Sequence, residues 1–335
     1  PLPPTAAAKN RGAGDIDSLQ VWLIWSGHNS QGWLLSARRR QPAVYRGIGR
    51  GILQCYIVLS STTETDVDDS SGREDNLDTN RAPATVGFFV TCVVDLLRPA
   101  VGFAAIRLLE DAGCRVIVPR SQACCGQPAY NSGDEWTSIG IARQVITVFE
   151  RFDYVVVPSG SCAGMIREHY PRLFAADLEW LERACRLATK TFELTQFLVE
   201  VLKVEKVDSA FKGTCTYHDS CSGLRELGVR EQPRKLLSAV PGLELEEMKE
   251  ADTCCGFGGL FCVKYPEIST QMVANKADDA TRTGADTLLG GDLGCLLNIA
   301  GYLRRTGSPI RVFHIAEVLA GMADDSGIGE QEDAT

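Results

Sequence analysis

The chain has 335 residues, of which 44% are apolar and 23% are charged, and its formal net charge is −9. This length and apolar content predict a soluble protein with room for two hydrophobic cores. The negative charge argues against nucleic acid or an anionic membrane surface as the main partner, and no apolar run approaches the roughly 20 residues of a transmembrane helix.

Residues 1–84 differ in composition from the rest of the chain. They include the basic triplet Arg38-Arg39-Arg40 and a polar, acidic stretch from Ser60 to Asn80. Such a composition is typical of disordered linkers. The sequence also starts at Pro1 rather than at a methionine. We therefore expect residues 1–84 to be a disordered or non-native N-terminal extension in which Cys55 binds nothing.

From Val86 onward, short apolar runs alternate with helical patterns. The patterns predict strands at Val86–Val90, Arg115–Pro119 and Tyr154–Val157, and helices from Pro99 to Gly113 and from Glu135 to Glu150. Strand-like runs return at Thr214–Tyr217, Leu243–Met248 and Thr287–Leu289, and residues 178–202 between the two sets are predicted to form one or two helices.

Alternating strands and helices indicate parallel sheets joined by right-handed crossovers. The predicted fold class is therefore α/β. We expect two pseudo-repeated domains, residues 85–205 and 206–325, each with a small parallel sheet flanked by helices. Residues 326–335 would form a tail.

Eight of the thirteen cysteines form two quartets of one pattern. In each quartet a Cys-Cys-Gly triplet is preceded by one cysteine 32 or 33 residues upstream and followed by another 37 or 40 residues downstream. The quartets are Cys92, Cys124, Cys125 and Cys162 in the first half, and Cys221, Cys254, Cys255 and Cys295 in the second. Each position follows a predicted strand, at the carboxyl edge where open α/β sheets bind ligands. The repeat therefore predicts two copies of one unit, each bringing four thiols together.

Four thiols per unit are compatible with several chemistries. Disulfides would need an oxidising compartment, and a bridge between adjacent cysteines is strained because their Cα atoms lie about 3.8 Å apart. Zinc usually takes thiols in pairs two to four residues apart, a spacing that neither quartet has. An iron–sulfur cluster fits better, because it takes about four thiolates around a larger body. Zinc, a redox dithiol and simple packing remain alternatives.

Three histidines lie within the predicted strands and helices or beside them. His218 lies three residues before Cys221 and is a further candidate metal ligand, or a hydrogen-bond donor to a ligand. His169 and His314 are predicted to lie on helices without acidic or thiol partners, so no functional role is assigned to them.

The cysteines outside the quartets are interpreted as packing residues. Cys114 follows a helix end, and Cys185 shares a helix face with apolar side chains. Cys215 and Cys262 have no counterpart in the first half. Either would be able to substitute as a ligand, but packing is the favoured interpretation for both.

Five motifs carry a resemblance to a known family. They are Val90-Thr91-Cys92-Val93-Val94-Asp95, Gln122-Ala123-Cys124-Cys125-Gly126-Gln127-Pro128, Pro158-Ser159-Gly160-Ser161-Cys162, Tyr217-His218-Asp219-Ser220-Cys221 and Cys254-Cys255-Gly256-Phe257-Gly258-Gly259. The two units resemble the cysteine-rich domain found in heterodisulfide reductase and in the glycolate oxidase iron–sulfur subunit. Residues 86–322 more closely resemble the lactate utilization protein A family, which consists of two such domains.

The resemblance implies a cytoplasmic component of a system that oxidises L-lactate to pyruvate, peripheral to the membrane only through partners. It implies two partners, a larger ferredoxin-like iron–sulfur subunit and a third small subunit. The chain would be a non-autonomous subunit of an oxidoreductase complex of the L-lactate dehydrogenase type, independent of NAD. L-lactate would bind to a partner or at a site shared between subunits.

One departure from the wider family bears on the cofactor. Heterodisulfide reductase-type repeats end in Cys-x-x-Cys, whereas Cys162 is followed by Ala-Gly-Met and Cys295 by Leu-Leu-Asn. Each half thus offers four thiolates rather than five, which favours an ordinary 4Fe–4S cluster, one or two per chain. A disulfide-reducing, heterodisulfide reductase-like protein and a zinc-binding, non-redox scaffold are the alternative functions.

Overall fold

A computed structural model of the chain describes residues 84–323 and 326–330. The predictions for Cys55 and for nearly all of the N-terminal extension lie outside the described residues. Within those residues, no helix combines the length and the apolar character that crossing a bilayer requires.

The first half is built on a four-stranded parallel sheet with the strand order β2-β1-β3-β4. Its strands are β1 (Thr85–Phe88), β2 (Arg115–Ile117), β3 (Tyr154–Val157) and β4 (Thr191–Glu193). Its helices are α1 (Cys92–Leu97), α2 (Pro99–Asp111), α3 (Gln127–Asn131), α4 (Glu135–Phe149), α5 (Gly160–Gly164), α6 (Tyr170–Leu173) and α7 (Leu178–Thr189), with a π-helical turn at Met165–His169. Local sequence sets several helix starts: Pro99 opens α2, and the Asp134 side chain accepts from Thr137 N at the start of α4.

The second half repeats this plan, with the strand order β6-β5-β7-β8. A short helix, α8 (Leu194–Gln196), and a π-helical turn (Phe197–Val201) lead into it. Its strands are β5 (Gly213–His218), β6 (Leu243–Leu245), β7 (Thr287–Gly290) and β8 (Arg311–His314). Its helices are α9 (Cys221–Leu227), α10 (Glu231–Ser238), α11 (Phe261–Lys264), α12 (Pro266–Arg282), α13 (Leu293–Arg305) and α14 (Ile315–Leu319).

The predicted fold class is confirmed, and all six predicted strands are present. The prediction of only helices between residues 178 and 202 is wrong, because β4 lies between α7 and α8. Thr191 in this strand is buried, and its hydroxyl donates to the carbonyl of Leu187 at 2.8 Å. Thr191-Phe192-Glu193 has polar residues at both ends, so it lacks the apolar run by which a short buried strand is recognised. Strand β8 was not predicted.

The two sheets contribute to one continuous core. Its buried side chains include Phe88 and Val156 from the first sheet, and Tyr217, Leu289 and Phe313 from the second. Helices α5 and α9, one from each half, also pack closely: a Cβ placed on Gly160 would lie 2.8 Å from the Cα of Gly223. The carboxyl ends of both sheets therefore approach each other where the cysteines lie.

Candidate metal centres

The first quartet comes together at the carboxyl end of the first sheet. Cys92 is the first residue of α1, and the N-cap residue Thr91 accepts from Val94 N through its hydroxyl. The Sγ atoms of Cys92 and Cys124 lie 3.6 Å apart, and those of Cys125 and Cys162 lie 3.2 Å apart. The four predicted residues of this quartet thus form one cluster of thiols.

The second quartet has the same construction. Cys221 is the first residue of α9, where the N-cap residue Ser220 accepts from Gly223 N at 3.3 Å. The sulfurs of Cys255 and Cys295 lie within 4.8 Å of each other, and the thiol of Cys254 interacts electrostatically with those of Cys221 and Cys255. The structure therefore brings together the second set of four as well.

Glycine shapes the turn after each cysteine pair. Gly126 and Gly256 have φ angles of 85° and 82°, a left-handed conformation that glycine adopts without strain. In this conformation the amide of Gly126 donates to Cys124 Sγ at 3.5 Å, and that of Gly256 donates to Cys254 Sγ at 3.4 Å. Each turn therefore directs an N–H group at the first sulfur of the pair.

The second cysteine of each pair is fixed through its backbone carbonyl. The hydroxyl of Tyr170 donates to the carbonyl of Cys125 at 2.8 Å, and the amide of Asn298 donates to that of Cys255 at 2.9 Å. These bonds connect each cysteine loop to the helical layer of its own half and so limit how far the loop can move.

The thiols of each quartet differ in acidity. Hydrogen bonds from Cys125 and Cys92, supported by the Gly126 amide, lower the pKa of Cys124 from 9.0 to about 2. Hydrogen bonds from Cys221 and Cys255, with the Gly256 amide, lower the pKa of Cys254 to about 2 in the same way. The first cysteine of each pair is therefore unusually acidic for a thiol.

The thiols next to these acidic cysteines are less acidic than usual. The hydrogen bond to Cys124, together with burial, raises the pKa of Cys92, and interaction with the sulfurs of Cys124 and Cys162, together with burial, raises the pKa of Cys125. Binding of a metal by the quartet would thus release protons, because ligating thiols must be deprotonated.

Residues of the second half border the first quartet. A cavity of about 120 Å³ beside its cysteines is also lined by Phe257, Leu260 and Asp292. The carboxylate of Asp292 accepts from Ser159 Oγ at 3.1 Å and from Ser161 N at 2.9 Å, and its other oxygen accepts from Gly294 N at 3.2 Å. Asp292 thereby joins the loop that delivers Cys162 to the start of α13, which delivers Cys295.

The donor set fits a thiolate-bound metal centre. All eight quartet cysteines are free thiols, and soft thiolates select zinc, copper(I) or iron–sulfur clusters. The paired sulfurs of the first quartet are in van der Waals contact, so these side chains would have to rotate apart to bind different irons of one cluster.

His218 lies at the second quartet. One of its ring nitrogens and the sulfurs of Cys255 and Cys295 all lie within 4.8 Å of one another. All three residues are buried. Neither ring nitrogen has a hydrogen-bond partner within the described part of the chain. Burial and the nearby Lys276 lower the pKa of His218 to about 3, so the imidazole is neutral. The carbonyl of Ala251 opposes this shift slightly, but it lies outside hydrogen-bond geometry.

The other two histidines in this part of the chain correct the sequence interpretation. His169 does have an acidic neighbour, because its Nε2 lies 3.2 Å from Glu226 Oε1, and its Nδ1 lies 3.2 Å from the Tyr130 hydroxyl. His314 ends strand β8 rather than lying within a helix. Its Nδ1 accepts from Ala316 N at 3.2 Å, so it caps α14.

The remaining described cysteines lie away from the quartets in the packing of the molecule. Cys114 and Cys215 belong to the shared core, and Cys185 to the core of the first half. Burial, with a contribution from Asp286, raises the pKa of Cys215 to about 12. Cys262 is half-buried on α11, with its Sγ 3.5 Å from the carbonyl of Gly259.

Sequence reasoning missed the role of Asp292. An aspartate just before a helical pattern is a recognisable N-cap signal, and three other caps near the quartets are Thr91, Ser159 and Ser220. The bonds from Asp292 to the first half had no such signal, because their partners lie more than 130 residues away in sequence.

Comparison with known proteins adds independent information. The cysteine-rich CCG domain family matches residues 86–167 and 215–300. Lactate utilization protein A of Geobacillus kaustophilus is 53% identical over 234 residues, which cover 70% of this chain and 98% of that protein. The protein of the same name from Oceanobacillus iheyensis is 48% identical over 234 residues, covering 70% and 96% of the two chains.

A solved structure supports the fold alone. The crystal structure of a hypothetical protein from Helicobacter pylori aligns with 75% of this chain and 50% of its own, with a TM-score of 0.50 and 12% identity.

Proposed function

We propose that this chain, which belongs to the lactate utilization protein A family, is the iron–sulfur electron-transfer subunit of a system that oxidises L-lactate to pyruvate. The observation that carries the proposal is the pair of thiol quartets, each assembled at the carboxyl end of a parallel sheet. The eight quartet cysteines would hold one or two 4Fe–4S clusters, which supply one-electron oxidation and reduction when bound.

The number of centres suits the chemistry of the substrate. Oxidation of lactate to pyruvate releases two electrons and two protons. Two one-electron centres in one chain would accept these electrons singly and pass them on. The proposed partners are a ferredoxin-like iron–sulfur subunit and a third small subunit, in the cytoplasm, with L-lactate bound on a partner or between subunits.

The chain's own groups would tune such centres. The amides of Gly126 and Gly256 donate to sulfur, and hydrogen bonds to ligand sulfurs are among the factors that set the reduction potential of a cluster. The helix N-caps Thr91 and Ser220 fix the first turns that carry Cys92 and Cys221. The protein therefore prepares both the position and the charge of its thiolates.

Anaerobic purification followed by iron, acid-labile sulfide and zinc analysis tests the proposal. We expect a brown protein with iron and sulfide in similar amounts, and an electron paramagnetic resonance signal on reduction. Cys124→Ser and Cys254→Ser should each lower the iron content, because a hydroxyl poorly replaces a soft thiolate. Zinc bound stoichiometrically without sulfide would contradict the proposal.

Cys114→Ser and Cys215→Ser are matched controls, one in each half. Both residues are buried in the shared core, so each substitution should cost about 1–3 kcal/mol of stability for an unpaired hydroxyl while iron and sulfide stay constant. Equal loss of iron in the controls and in the quartet variants would show that unfolding, rather than loss of a ligand, had been measured.

One observation favours a zinc-binding scaffold as the second candidate. Sulfurs around a tetrahedral zinc ion lie about 3.8 Å apart, given a Zn–S distance near 2.3 Å, and the paired sulfurs here lie 3.6 and 3.2 Å apart. The same metal analysis separates the two candidates, since a zinc scaffold would contain neither sulfide nor a reducible centre.

A further inference from the structure

We propose that His218 is a nitrogen ligand of the second metal centre, where it binds beside Cys255 and Cys295. The inference rests on the proposed metal-binding function of the quartets and deepens it, because it makes the two centres of the repeat chemically different.

The position of His218 supports ligation. It is the last residue of β5, and one ring nitrogen lies with the sulfurs of Cys255 and Cys295 in a group of three atoms that are all within 4.8 Å of one another. All three residues are buried. These are the residue types and the separation from which a single metal atom could be held, since imidazole and thiolate are both ligands of iron and zinc.

The surroundings of His218 leave its nitrogens available. The side chain is 1% exposed, and neither nitrogen finds a hydrogen-bond partner among the described residues. Buried polar atoms without a partner are uncommon, and coordination to a metal would give one of these nitrogens a partner. A ring nitrogen without a partner offers its lone pair to a metal ion.

The internal repeat provides a comparison within the same molecule. His218 lies three residues before Cys221, and the residue three before Cys92 is Phe89. Phe89 is fully buried, and its ring lies 5.3 Å from that of Phe149. The first half thus uses an apolar ring at this position for packing. A purely structural role in the second half would be served by the same apolar ring, without an unpaired polar group in the core.

The proposed ligand changes the charge of the second centre. The group of three atoms leaves out Cys221 and Cys254, so the imidazole would take the place of one of these two thiolates at the metal. This exchange makes the site less negative, and histidine ligation raises the reduction potential of iron–sulfur centres. The second centre would then be the better electron acceptor of the two. Electrons that enter at the first quartet would move to the second, which gives the subunit a direction.

Labelling of histidine nitrogen tests the assignment in the full chain. The sequence contains four histidines, so protein grown with ¹⁵N-histidine and reduced anaerobically can be examined by pulsed electron paramagnetic resonance for coupling of the cluster to labelled nitrogen. We expect coupling in the wild type and in His169→Gln, which removes a half-buried histidine that is bonded to Tyr130 and Glu226. We expect no coupling in His218→Phe.

A second variant keeps the test decisive if His218→Phe does not fold. His218→Cys retains a metal ligand, so iron content should be kept while nitrogen coupling disappears and the potential of one centre falls. Wild-type protein that contains iron and sulfide but shows no histidine coupling would overturn the inference and leave the proposed function intact. The inference would also be overturned if His218→Cys kept both the nitrogen coupling and the reduction potentials of the wild type.

Failure of the proposed function can likewise be distinguished from failure of the ligand assignment. If the purified protein contains zinc and no sulfide, the proposed function fails. The ligand assignment is then decided by cobalt substitution: the absorption bands of bound cobalt should differ between the wild type and His218→Cys, and identical spectra would overturn it.

Discussion

Replacement of Asp292 by alanine tests how strongly the two halves depend on each other. Asp292 is 3% exposed and caps α13 through Gly294 N, while its Oδ2 accepts from Ser159 Oγ and Ser161 N in the first half. In Asp292→Ala, the amides of Ser161 and Gly294 lose a charged acceptor. Ser159 Oγ retains Ser161 Oγ at 3.3 Å.

The expected loss of stability in Asp292→Ala follows from these contacts. A hydrogen bond to a charged group contributes about 1.5–3 kcal/mol, so the loss of two gives about 3–6 kcal/mol. Removal of the buried carboxylate recovers part of this cost, because Asp292 disfavours ionisation of the buried Glu193. We therefore expect the free energy of unfolding to fall by about 3–5 kcal/mol.

Asp134→Ala is the matched control. Asp134 also caps a long helix, through Thr137 N at 3.0 Å, but it is exposed and lies in the first half at the start of α4. Loss of an exposed N-cap should cost about 1 kcal/mol. The excess of about 2–4 kcal/mol in Asp292→Ala over the control would measure the bonds between the halves.

Guanidinium denaturation under anaerobic, reducing conditions, followed by far-ultraviolet circular dichroism, measures both variants. The midpoint should fall in proportion to the loss of free energy, and an unchanged m-value would show that the folded state is still compact. If Asp292→Ala loses no more stability than Asp134→Ala, the bonds to Ser159 and Ser161 contribute nothing and the reasoning is wrong.

Two further predictions concern packing and pH. Gly160→Ala should destabilise the protein by about 1–3 kcal/mol, because the added Cβ would meet the Cα of Gly223 at 2.8 Å. The control is Gly140→Ala on an exposed helix face, where no atom lies within 4 Å of the added Cβ; it should be neutral or stabilising by up to about 1 kcal/mol. Equal effects of the two substitutions would refute this packing account. Burial raises the pKa of Glu193 from 4.5 to about 7, although hydrogen bonds from Thr195 and Gln196 act in the opposite direction. The folded protein therefore holds this proton more tightly than the unfolded chain does. The stability present below pH 4.5 should decline by about 3 kcal/mol as the pH rises to 7. Denaturation of wild type and Glu193→Gln at pH 4.5 and 7.5 measures this contribution, and an equal pH dependence in both would contradict it.

The sequence by itself predicted the α/β fold class and six of the eight strands in the described part of the chain. Runs such as Val86–Val90 and Tyr154–Val157 are apolar along their length, which is typical of strands buried on both faces of a parallel sheet. Spacing also identified which cysteines belong together, because each quartet position follows a strand of the repeat. These features depend on a few neighbouring residues, so a single sequence contains them.

Other features were decided only by the tertiary structure. Strands β4 (Thr191–Glu193) and β8 (Arg311–His314) have polar residues at both ends, so they lack the continuous apolar run seen at Val86–Val90. Their pairing with β3 and β7 forms them. The pair of His169 with Glu226 spans 57 residues, and the bond from Asp292 to Ser159 spans 133. Such contacts depend on how the two sheets pack through a shared core. For the same reason the sequence suggested His218 as a candidate, whereas only the fold placed its ring beside Cys255 and Cys295.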